Sequence, residues 1–452
     1  MFYRKAMEEL QEWKDLSKGR SAVLIEGARR VGKSTLAEEF AKSAYKSHIL
    51  IDFSKQNRDV EDIFTQNAND FDRLSSLLST YFDTRLYPRE SLLVFDEVQM
   101  FPFARQMVKH LVADGRYDIV ETGSLISLKQ NVRDIIIPSE ERTLELHPLD
   151  FEEFCLAQGS ELLTNAIKEA FVNLQPLPNA LHRKAQRLWR EYLLVGGMPR
   201  VVDAYLLNLD FHEADSVKRD ILSLYRKDIA KFTLGEESQV SAIFDAIAAQ
   251  LSKHNKKFTF SNLGENMRWR NLEAAFFWLT DSRIVNLCHN VTDPTVGLSL
   301  RADPAVFKCF LGDTGLLVAQ VFSDQKTTPN ELYKEILFKK IGFNEGMLVE
   351  NLVAQSLRAK GHKLFFFSKN DRDSRENTME VDFLITGKSN KSARTKIHPI
   401  EVKSTSRYST TSLDKFAAKF GKRVGTSYVL HPGQLKVTDT RVHLPLYMAF
   451  CL

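Results

Sequence analysis

The stretch SAVLIEGARRVGKSTLAEEF, from Ser21 to Phe40, places two glycines and three basic residues between an apolar run and a segment of helical spacing. Its central part, Gly27 to Ser34, fits the pattern GxxxxGK[ST] at every fixed position. This pattern requires a strand before it and a helix after it, and the flanking residues predict both. The stretch therefore predicts a phosphate-binding loop that joins a strand to a helix.

The residue types in this loop suit the binding of a triphosphate. Glycines let the backbone turn tightly so that its N–H groups point inward, and the N-terminus of the following helix favours anions. We expect Lys33 to reach the β- and γ-phosphates of ATP and the Ser34 hydroxyl to ligate Mg²⁺. Arg29 and Arg30 fill variable positions, where contact with the nucleotide and simple solvation both stay open. The residues predicted to contact the nucleotide here are Gly27, Ala28, Arg29, Arg30, Val31, Gly32, Lys33, Ser34 and Thr35.

A second acidic element follows in SLLVFDEVQM. The continuous apolar run from Leu92 to Phe95 is typical of a central parallel strand, and it ends in Asp96 and Glu97. Asp96 is predicted to hold the Mg²⁺ water shell, and Glu97 to orient and deprotonate the attacking water.

The next strand, from Tyr117 to Val120, ends in the polar stretch ETGSLISL. Thr122 and Ser124 are candidates for a residue that senses the γ-phosphate, with a turn or helix cap as the alternative. Strands that alternate with helices predict a doubly wound parallel sheet, with nucleotide at the carboxyl ends of the strands.

Length and composition set the remaining limits. A chain of 452 residues suggests about three domains, and a formal charge of +4 permits a nucleic-acid partner without arguing for one. The spacing of the four cysteines predicts neither zinc nor disulfides; they are Cys155, Cys288, Cys309 and Cys451. The N-terminus is typical of an amphipathic helix, not a signal peptide. With no run of 18 apolar residues, we expect no membrane span and a cytoplasmic protein.

A carboxylate constellation near the other end of the chain suggests a second site. Glu350 lies in a predicted helix, Asp382 in the strand EVDFLI, and Glu401 and Lys403 in the strand HPIEVKST. Residues i and i+2 of a strand share a face, so Glu401 and Lys403 should project together. Carboxylates that hold Mg²⁺ beside a lysine suit metal-dependent phosphodiester cleavage. Glu380 is an alternative ligand, and salt bridges on a scaffold are the alternative interpretation.

The middle of the chain is less specific. The segment KHNKKFTFSNLGENMRWRNLEAAFFWLTDSRIVNL predicts a winged helix that contacts DNA or docks a protein. Its candidates for phosphate contact are Lys253, Lys256, Lys257, Arg268 and Arg270. Upstream, GGMP, from Gly196 to Pro199, predicts either a turn that reports nucleotide state or an ordinary turn between helices.

Taken together, several motifs resemble one family. GARRVGKSTL, VFDEVQ, ETGSLISL, ERTLELHPLDFEEF, LLVGGMPRVV, LGDTGLL and GMLVENLVAQSL…EVDFLI…PIEVKS occur in one order. This order resembles the AAA-type ATPases of bacteria and archaea that carry a C-terminal DUF4143 domain. The resemblance implies an α/β protein with a P-loop ATPase core, a helical and winged-helix middle, and a C-terminal restriction-endonuclease-like domain. In that domain Asp382, Glu401 and Lys403 would form a PD-(D/E)xK signature, with Glu350 as the helix carboxylate.

The chain departs from the family pattern at one point. Where the family carries a Gly-Arg pair, this chain keeps the arginine as Arg142 but has Glu141 in place of the glycine. Arg142 is a candidate for a γ-phosphate or subunit-interface arginine, with a structural salt bridge as the alternative.

From these observations we expect four domains, over residues 1–150, 151–235, 236–300 and 301–452. We expect ATP hydrolysis coupled to a nuclease-like domain that acts on DNA. The alternative is an ATP-dependent switch or scaffold whose C-terminal domain is an inactive binding module. A third hypothesis, a ring-forming motor, needs an arginine from a neighbouring subunit, with Arg133, Arg142 and Arg200 as candidates. Self-association and a protein partner both stay open.

Overall fold

The computed structural model describes residues 2–55, 57–124, 138–233, 235–265, 267–337, 345–370, 378–389 and 392–452. The chain forms two compact units, one of Met1–His147 with Asp281–Arg283 and one of Pro148–Thr280 with Ile284–Leu452. Both units are α/β, which confirms the fold class predicted from the sequence. The candidate Arg133 lies outside the described residues.

The helices and strands follow one another in this order in the first unit: α1 (Ala6–Ser17), β1 (Ala22–Glu26), α2 (Lys33–Ala44), β2 (Ser47–Asp52), α3 (Arg58–Gln66), α4 (Phe71–Tyr81), β3 (Ser91–Asp96), α5 (Pro102–Asp114), β4 (Asp118–Gly123) and β5 (Glu141–Glu145).

The second unit continues with α6 (Phe151–Ala157), α7 (Glu161–Val172), α8 (Asn179–Val195), α9 (Pro199–Asn208), α10 (Phe211–Phe232), α11 (Glu237–Leu251), α12 (Trp269–Asp281), β6 (Val285–Val291), β7 (Ala302–Leu311), α13 (Thr314–Val321), α14 (Asn330–Leu337), α15 (Glu345–Ala359), β8 (Phe365–Lys369), β9 (Met379–Ser389), β10 (Ser392–Val402), α16 (Thr411–Phe420), β11 (Ser427–His431), β12 (Lys436–Val437) and β13 (Arg441–Pro445).

The described part of the first unit contains a sheet of five parallel strands in the order β2-β3-β4-β1-β5. Strand β4 therefore lies between β1, which leads into the phosphate loop, and β3, which ends in Asp96. In register, Ile25 of β1 lies beside Thr122 of β4, and Phe95 of β3 lies beside Glu121. This order brings the carboxyl ends of β1, β3 and β4 to one edge of the sheet.

Alternation along the strands gives this sheet a core on each face. On one face Val23 and Ile25 pack with Leu36 and Phe40 of α2. Helix α1 covers the same face through Leu10 and Trp13, and the Trp13 ring lies 6.4 Å from that of Phe40. The N-terminal amphipathic helix is therefore present. The opposite face, which includes Ala22 and Leu24 of β1, packs against α3, α4 and α5.

The second unit is built on a mixed sheet of eight strands among the described residues, in the order β12-β13-β11-β10-β9-β8-β6-β7. Strands β6 and β7 pair with each other, and β6 also pairs with β8. Because β6 comes from the segment predicted to be a winged helix, that prediction is not confirmed. The fourfold division of the chain stays a prediction.

The GGMP turn, Gly196–Pro199, is held by close backbone packing in the second unit. Gly196 has a φ of 82°, and a Cβ atom on it would lie 2.3 Å from Oδ1 of Asp313. The Gly197 N–H donates to Oδ2 of Asp313 at 2.6 Å, and Leu149 N–H donates to the Gly197 carbonyl at 2.7 Å. A Cβ atom on Gly315 would lie 2.0 Å from the Val195 carbonyl oxygen. The family motifs around these residues thus meet in one buried structural network.

Two expectations about composition can be compared with the described residues. The four cysteines carry free thiols, and three of them are buried. None of the described helices combines the length and the apolar character that crossing a membrane requires.

Candidate functional site

The phosphate loop of the first unit takes the backbone path that its glycines allow. Gly32 precedes α2 with a φ of 99°, a conformation that other residues rarely adopt. A Cβ atom on Gly27 would lie 2.4 Å from the carbonyl oxygen of Leu146, so only glycine fits there. Arg30 also has a positive φ, 70°. The side chains of Arg29, Arg30 and Thr35 are exposed, whereas Ala28 and Val31 are buried.

Lys33 is the buried cation of this loop. Its side chain is 5% exposed, and Nζ donates to the carbonyl oxygens of Gly27 at 3.0 Å and Ala28 at 3.2 Å. Burial lowers the pKa of Lys33, while Glu97 and Asp96 act in the opposite direction. The Lys33 ammonium therefore donates to neutral carbonyls. Charged phosphate oxygens would be stronger acceptors at the same place.

The ends of β3 and β4 and the start of α2 meet at Asp96. The Ser34 hydroxyl donates to Oδ1 of Asp96 at 2.7 Å, and the Thr122 hydroxyl donates to the same oxygen. The Glu97 N–H donates to the Thr122 hydroxyl at 3.2 Å. Thr122 therefore holds the acidic pair in place from the neighbouring strand. Of the two residues considered for the γ-phosphate sensor, Thr122 makes these contacts, whereas Ser124 lies just past the end of β4 and is half-buried.

Glu97 lies at the open end of this arrangement. Its φ is 53°, in the left-handed region, and its side chain is half-buried. The Gln99 amide donates to Oε2 of Glu97, which orients the carboxylate. Hydroxyl and carboxylate oxygens such as those of Ser34 and Asp96 are the ligands that Mg²⁺ prefers. The residues present therefore fit Mg²⁺ and a triphosphate.

Three arginines near this site were not singled out by the sequence. Arg4 is buried and donates to the Val31 carbonyl in the loop at 3.2 Å. Arg283 belongs to this unit and donates to Oε2 of Glu26, the residue directly before Gly27, at 2.9 Å. Arg105 of α5 makes a two-point ion pair with Glu141, at 3.0 and 2.8 Å. Each of these contacts joins residues that are far apart in the chain, so no local sequence pattern predicts it.

The Arg105 pair accounts for the departure from the family pattern at Glu141. Beside the pair lies Glu121 of β4, which is fully buried, and burial followed by the Glu141 charge raises its pKa well above the usual range. Arg142 is exposed on β5 and lies beside Val23 in register. That position is three residues, roughly 10 Å, from the strand end at Glu26. Arg200, the other described candidate, is exposed on α9 of the second unit.

The second unit brings the predicted nuclease-like residues together. Nζ of Lys403 lies 2.7 Å from Oε1 of Glu401, so the two side chains project together as expected. Oδ2 of Asp382 accepts the N–H of Val402 at 2.9 Å, which joins β9 to the end of β10. Burial, with the Asp382 charge as the next cause, raises the pKa of Glu401 to about 8.

The central residue of this cluster is Lys308, which the sequence reasoning missed. It lies on β7, and its side chain is 1% exposed. Its Nζ atom lies 3.0 Å from Oε1 of Glu380, 3.4 Å from Oδ1 of Asp382 and 3.7 Å from Oε2 of Glu350. Burial alone would lower the pKa of Lys308, but the three carboxylates raise it well above the usual value. A lone lysine within the apolar run VFKCFL was the available signal.

A second lysine from the middle segment completes the ion pairs. Lys256, a candidate for phosphate contact, instead forms an ion pair with Oε1 of Glu350. Of the other basic candidates, Lys253, Arg268 and Arg270 are exposed and Lys257 is half-buried. Within the described residues, no group of three or more histidine, cysteine or acidic side chains is arranged to hold a metal ion. The donors of this cluster do not fit a divalent cation, because an ammonium already lies among them.

Three segments of the chain match known family models. Residues 19–155 match the model described as AAA domain. Most of this match lies in the first unit, whose main segment ends at His147. Residues 345–448 match the domain of unknown function DUF4143, and residues 186–327 match the domain of unknown function DUF8612. The AAA domain match covers the phosphate loop, the Asp96–Glu97 pair and Thr122. It supports ATP binding by this unit, as the resemblance implied.

Comparison with curated proteins and solved structures adds less. No curated protein matches the sequence. PCH-2 of C. elegans is 13% identical with a TM-score of 0.22, covering 38% of this chain and 48% of its own. The Orc1 protein of Aeropyrum pernix, solved with DNA, is 12% identical with a TM-score of 0.26, covering 72% and 93%. A STAND protein from Pyrococcus horikoshii, PH0952, is 11% identical with a TM-score of 0.27, covering 79% and 46%. This chain therefore spans about half the length of the PCH-2 chain.

Proposed function

We propose that this protein binds ATP with Mg²⁺ at the phosphate loop of its first unit and hydrolyses it. The observation that carries the proposal is the meeting of the ends of β3 and β4 with the start of α2 at Asp96. There the Ser34 hydroxyl, 2.7 Å away, and the Thr122 hydroxyl share one carboxylate oxygen. Beside it, Lys33 is buried on the loop carbonyls. A hydroxyl pair, a carboxylate and a buried lysine at the carboxyl edge of a parallel sheet are the groups that a site for Mg²⁺ and a triphosphate requires.

Each residue has a defined part in the proposed reaction. Loop N–H groups and the Lys33 ammonium bind the β- and γ-phosphates, in place of the Gly27 and Ala28 carbonyls that Lys33 now contacts. Ser34 and Asp96 would hold Mg²⁺, which supplies charge neutralisation to the phosphates when bound. Glu97, fixed by Gln99, orients the attacking water and accepts its proton.

For the second unit we propose the role of a binding module, and not that of a nuclease. The supporting observation is that lysines already neutralise the carboxylates that a nuclease would need for its metal ions. DNA and protein both stay candidate partners of this module, as does a second copy of the chain. The exposed basic residues Lys253, Arg268 and Arg270 favour a polyanionic partner.

The test of the ATPase proposal compares two lysines of the same helix. Lys33→Ala removes the buried ammonium of the loop, whereas Lys42→Ala removes an exposed lysine that pairs with Glu38. We expect Lys33→Ala to lose ATP binding, measured by calorimetry, and phosphate release, measured at saturating Mg²⁺ and ATP. Lys42→Ala should retain both. Unchanged ATP affinity and turnover in Lys33→Ala would overturn the proposal.

A further inference from the structure

We propose that the Lys308 ammonium permanently takes the place of a divalent cation in the carboxylate cluster of the second unit. The cluster is defined here as Glu350, Glu380, Asp382 and Glu401. In this proposal it is a metal-independent, ion-paired centre, and removal of Lys308 converts it into a divalent-metal site. The inference concerns the second unit alone and does not depend on ATP hydrolysis by the first.

The position of Nζ supports this assignment. It lies between 3.0 and 3.7 Å from carboxylate oxygens of Glu350, Glu380 and Asp382, which come from a helix and one strand. A Mg²⁺ or Ca²⁺ ion shared by the same oxygens would lie at roughly 2.0–2.6 Å from each of them. The metal ion and the Lys308 ammonium cannot occupy that space together, so each excludes the other.

The backbone of β7 holds Lys308 in this position from both sides. Lys308 lies beside Cys288 of β6 in register. On the other side it forms a bridge with Lys257, and the Phe258 N–H donates to the Phe307 carbonyl at 2.8 Å. The ammonium also lies 5.2 Å from the ring centroid of Phe366 on β8. The lysine is therefore built into the sheet and is not a surface side chain that has folded inward.

The charges of the cluster are close to balanced without a metal. Four carboxylates face three lysines, because Lys256 pairs with Glu350 and Lys403 pairs with Glu401. A buried carboxylate without a partner is costly, so each of these pairs has a reason to persist. Two buried oxygens, Oε2 of Glu350 and Oε2 of Glu401, lack a hydrogen-bond partner among the described residues. If a metal ion displaced the Lys308 ammonium, it would bind at these two oxygens. A measurement of metal binding by the wild type therefore tests the proposal directly.

The first experiment titrates Mn²⁺ alone, without nucleotide, into the full-length wild type and Asp382→Asn, with free Mn²⁺ measured by electron paramagnetic resonance. We expect the two proteins to bind Mn²⁺ equally, because Asp382 already has a cation. Any Mn²⁺ bound by Ser34 and Asp96 of the first unit contributes equally to both. A wild-type Mn²⁺ site that Asp382→Asn removes would overturn the proposal, even where other variants fail to fold.

The second experiment removes the ammonium. Lys308→Met should gain an Mn²⁺ site, with affinity about tenfold or more above any wild-type binding, because a positive charge no longer lies among the ligands. The double variant Lys308→Met, Asp382→Asn should lose it again. Mn²⁺ should also raise the melting temperature of Lys308→Met but not that of the wild type. A folded Lys308→Met protein that gains no Mn²⁺ site would overturn the proposal.

Lys218→Met provides the matched control. Lys218 is a fully buried lysine of the same unit, hydrogen-bonded to the Tyr333 hydroxyl at 2.9 Å and to the Leu194 carbonyl at 3.1 Å. Its removal should destabilise the protein without creating a Mn²⁺ site, so Mn²⁺ should not raise its melting temperature. Equal rescue of both variants by Mn²⁺ would show that the effect is not specific to the carboxylate cluster, and would overturn the proposal.

Discussion

The phosphate-loop site of the first unit and the carboxylate cluster of the second use the same residue types in opposite ways. Each places a buried lysine near acidic side chains at the ends of strands. Lys33 contacts the carbonyls of Gly27 and Ala28, so the carboxylates of Asp96 and Glu97 are left to a metal ion and a water. Lys308 contacts the carboxylates themselves. The two sites therefore differ in the partner of the buried lysine. Lys33 binds backbone carbonyls and leaves the carboxylates available to a ligand, whereas Lys308 neutralises the carboxylates directly.

The pKa directions of the two lysines express the same contrast. Burial lowers the pKa of Lys33, and its distant acids only partly offset this effect. For Lys308 burial acts in the same direction, but three neighbouring carboxylates reverse it. A buried ammonium whose charge is only partly neutralised is stabilised by an incoming phosphate. An ammonium that already pairs with carboxylates gains no such stabilisation. The predictions below test this contrast.

The largest expected effect is on turnover by the first unit. In Glu97→Gln the amide can still occupy the site but cannot accept a proton, so the hydrolysis rate should fall by roughly 10²–10⁴. ATP affinity should stay close to the wild-type value. The phosphates are bound by the loop and Lys33, and Glu97 does not contact the Gly27 and Ala28 carbonyls that hold Lys33. Phosphate release and calorimetric ATP binding measure the two effects separately.

Glu90→Gln is the control for this variant. Glu90 is exposed and forms a surface ion pair with Lys46, so its replacement should change neither quantity. Hydrolysis by Glu97→Gln at the wild-type rate would show that another group accepts the proton.

The next largest effect compares the two lysines directly through stability. Lys308→Met removes the buried ammonium beside Glu350 and Asp382, whose side chains are 10% and 14% exposed, and should cost about 3–5 kcal/mol of unfolding free energy even though Glu350 keeps its pair with Lys256. Lys33→Met removes only hydrogen bonds to two carbonyls and should cost about 1 kcal/mol without nucleotide. Chemical denaturation of the two full-length variants measures the difference. Equal losses would contradict the distinction drawn between the two sites.

The sequence predicted the first site far better than the second, for a physical reason. The residues from Gly27 to Ser34 are contiguous, and their spacing alone determines the loop and its lysine. Asp96 and Glu97 follow an apolar strand that places them at the same sheet edge. Thr122 was one of two candidates, and only the register of β4 between β1 and β3 distinguishes it from Ser124.

For the second site the sequence identified the carboxylates but only one of their three lysine partners, Lys403. Glu401 and Lys403 are two residues apart, so strand alternation predicted their contact. Lys308 and Asp382 are separated by 74 positions in the chain and by β6 and β8 in the sheet. No local pattern encodes such a contact, and the same holds for Lys256, which the sequence suggested as a phosphate ligand.

A smaller effect should follow from Thr122. Thr122→Val keeps the shape of the side chain but removes the hydroxyl that donates to Asp96 and accepts from the Glu97 N–H. One such lost interaction corresponds to roughly a tenfold fall in turnover. Thr122→Ser should restore most of the rate, since it retains the hydroxyl. Thr143→Val, at an exposed position of β5, should behave as wild type in the same phosphate-release assay.

If Thr122→Ser were as slow as Thr122→Val, the hydroxyl would not be the feature that positions Asp96 and Glu97. The acidic pair would then owe its geometry to β3 alone, and the contrast with the lysine-held carboxylates would weaken.

The smallest effect is expected at Lys403, the lysine that the nuclease hypothesis regards as catalytic. Its side chain is 24% exposed and pairs only with Glu401 among the described ion pairs. Burial raises the pKa of Glu401 to about 8, so Glu401 can take up a proton when its lysine is lost. Lys403→Met should therefore cost about 1 kcal/mol or less of unfolding free energy, well below the cost at Lys308. Denaturation of the two variants side by side measures this ranking.

The same variant tests whether the second unit is a nuclease. If the lysines serve only to neutralise carboxylates, neither the wild type nor Lys403→Met should cleave single- or double-stranded DNA with Mg²⁺ or Mn²⁺, with or without ATP. Cleavage by the wild type that Lys403→Met abolishes would give Lys403 a catalytic role. It would also require Lys308 to move aside for a metal ion, because the ammonium and the metal would compete for the oxygens of Asp382 and Glu350.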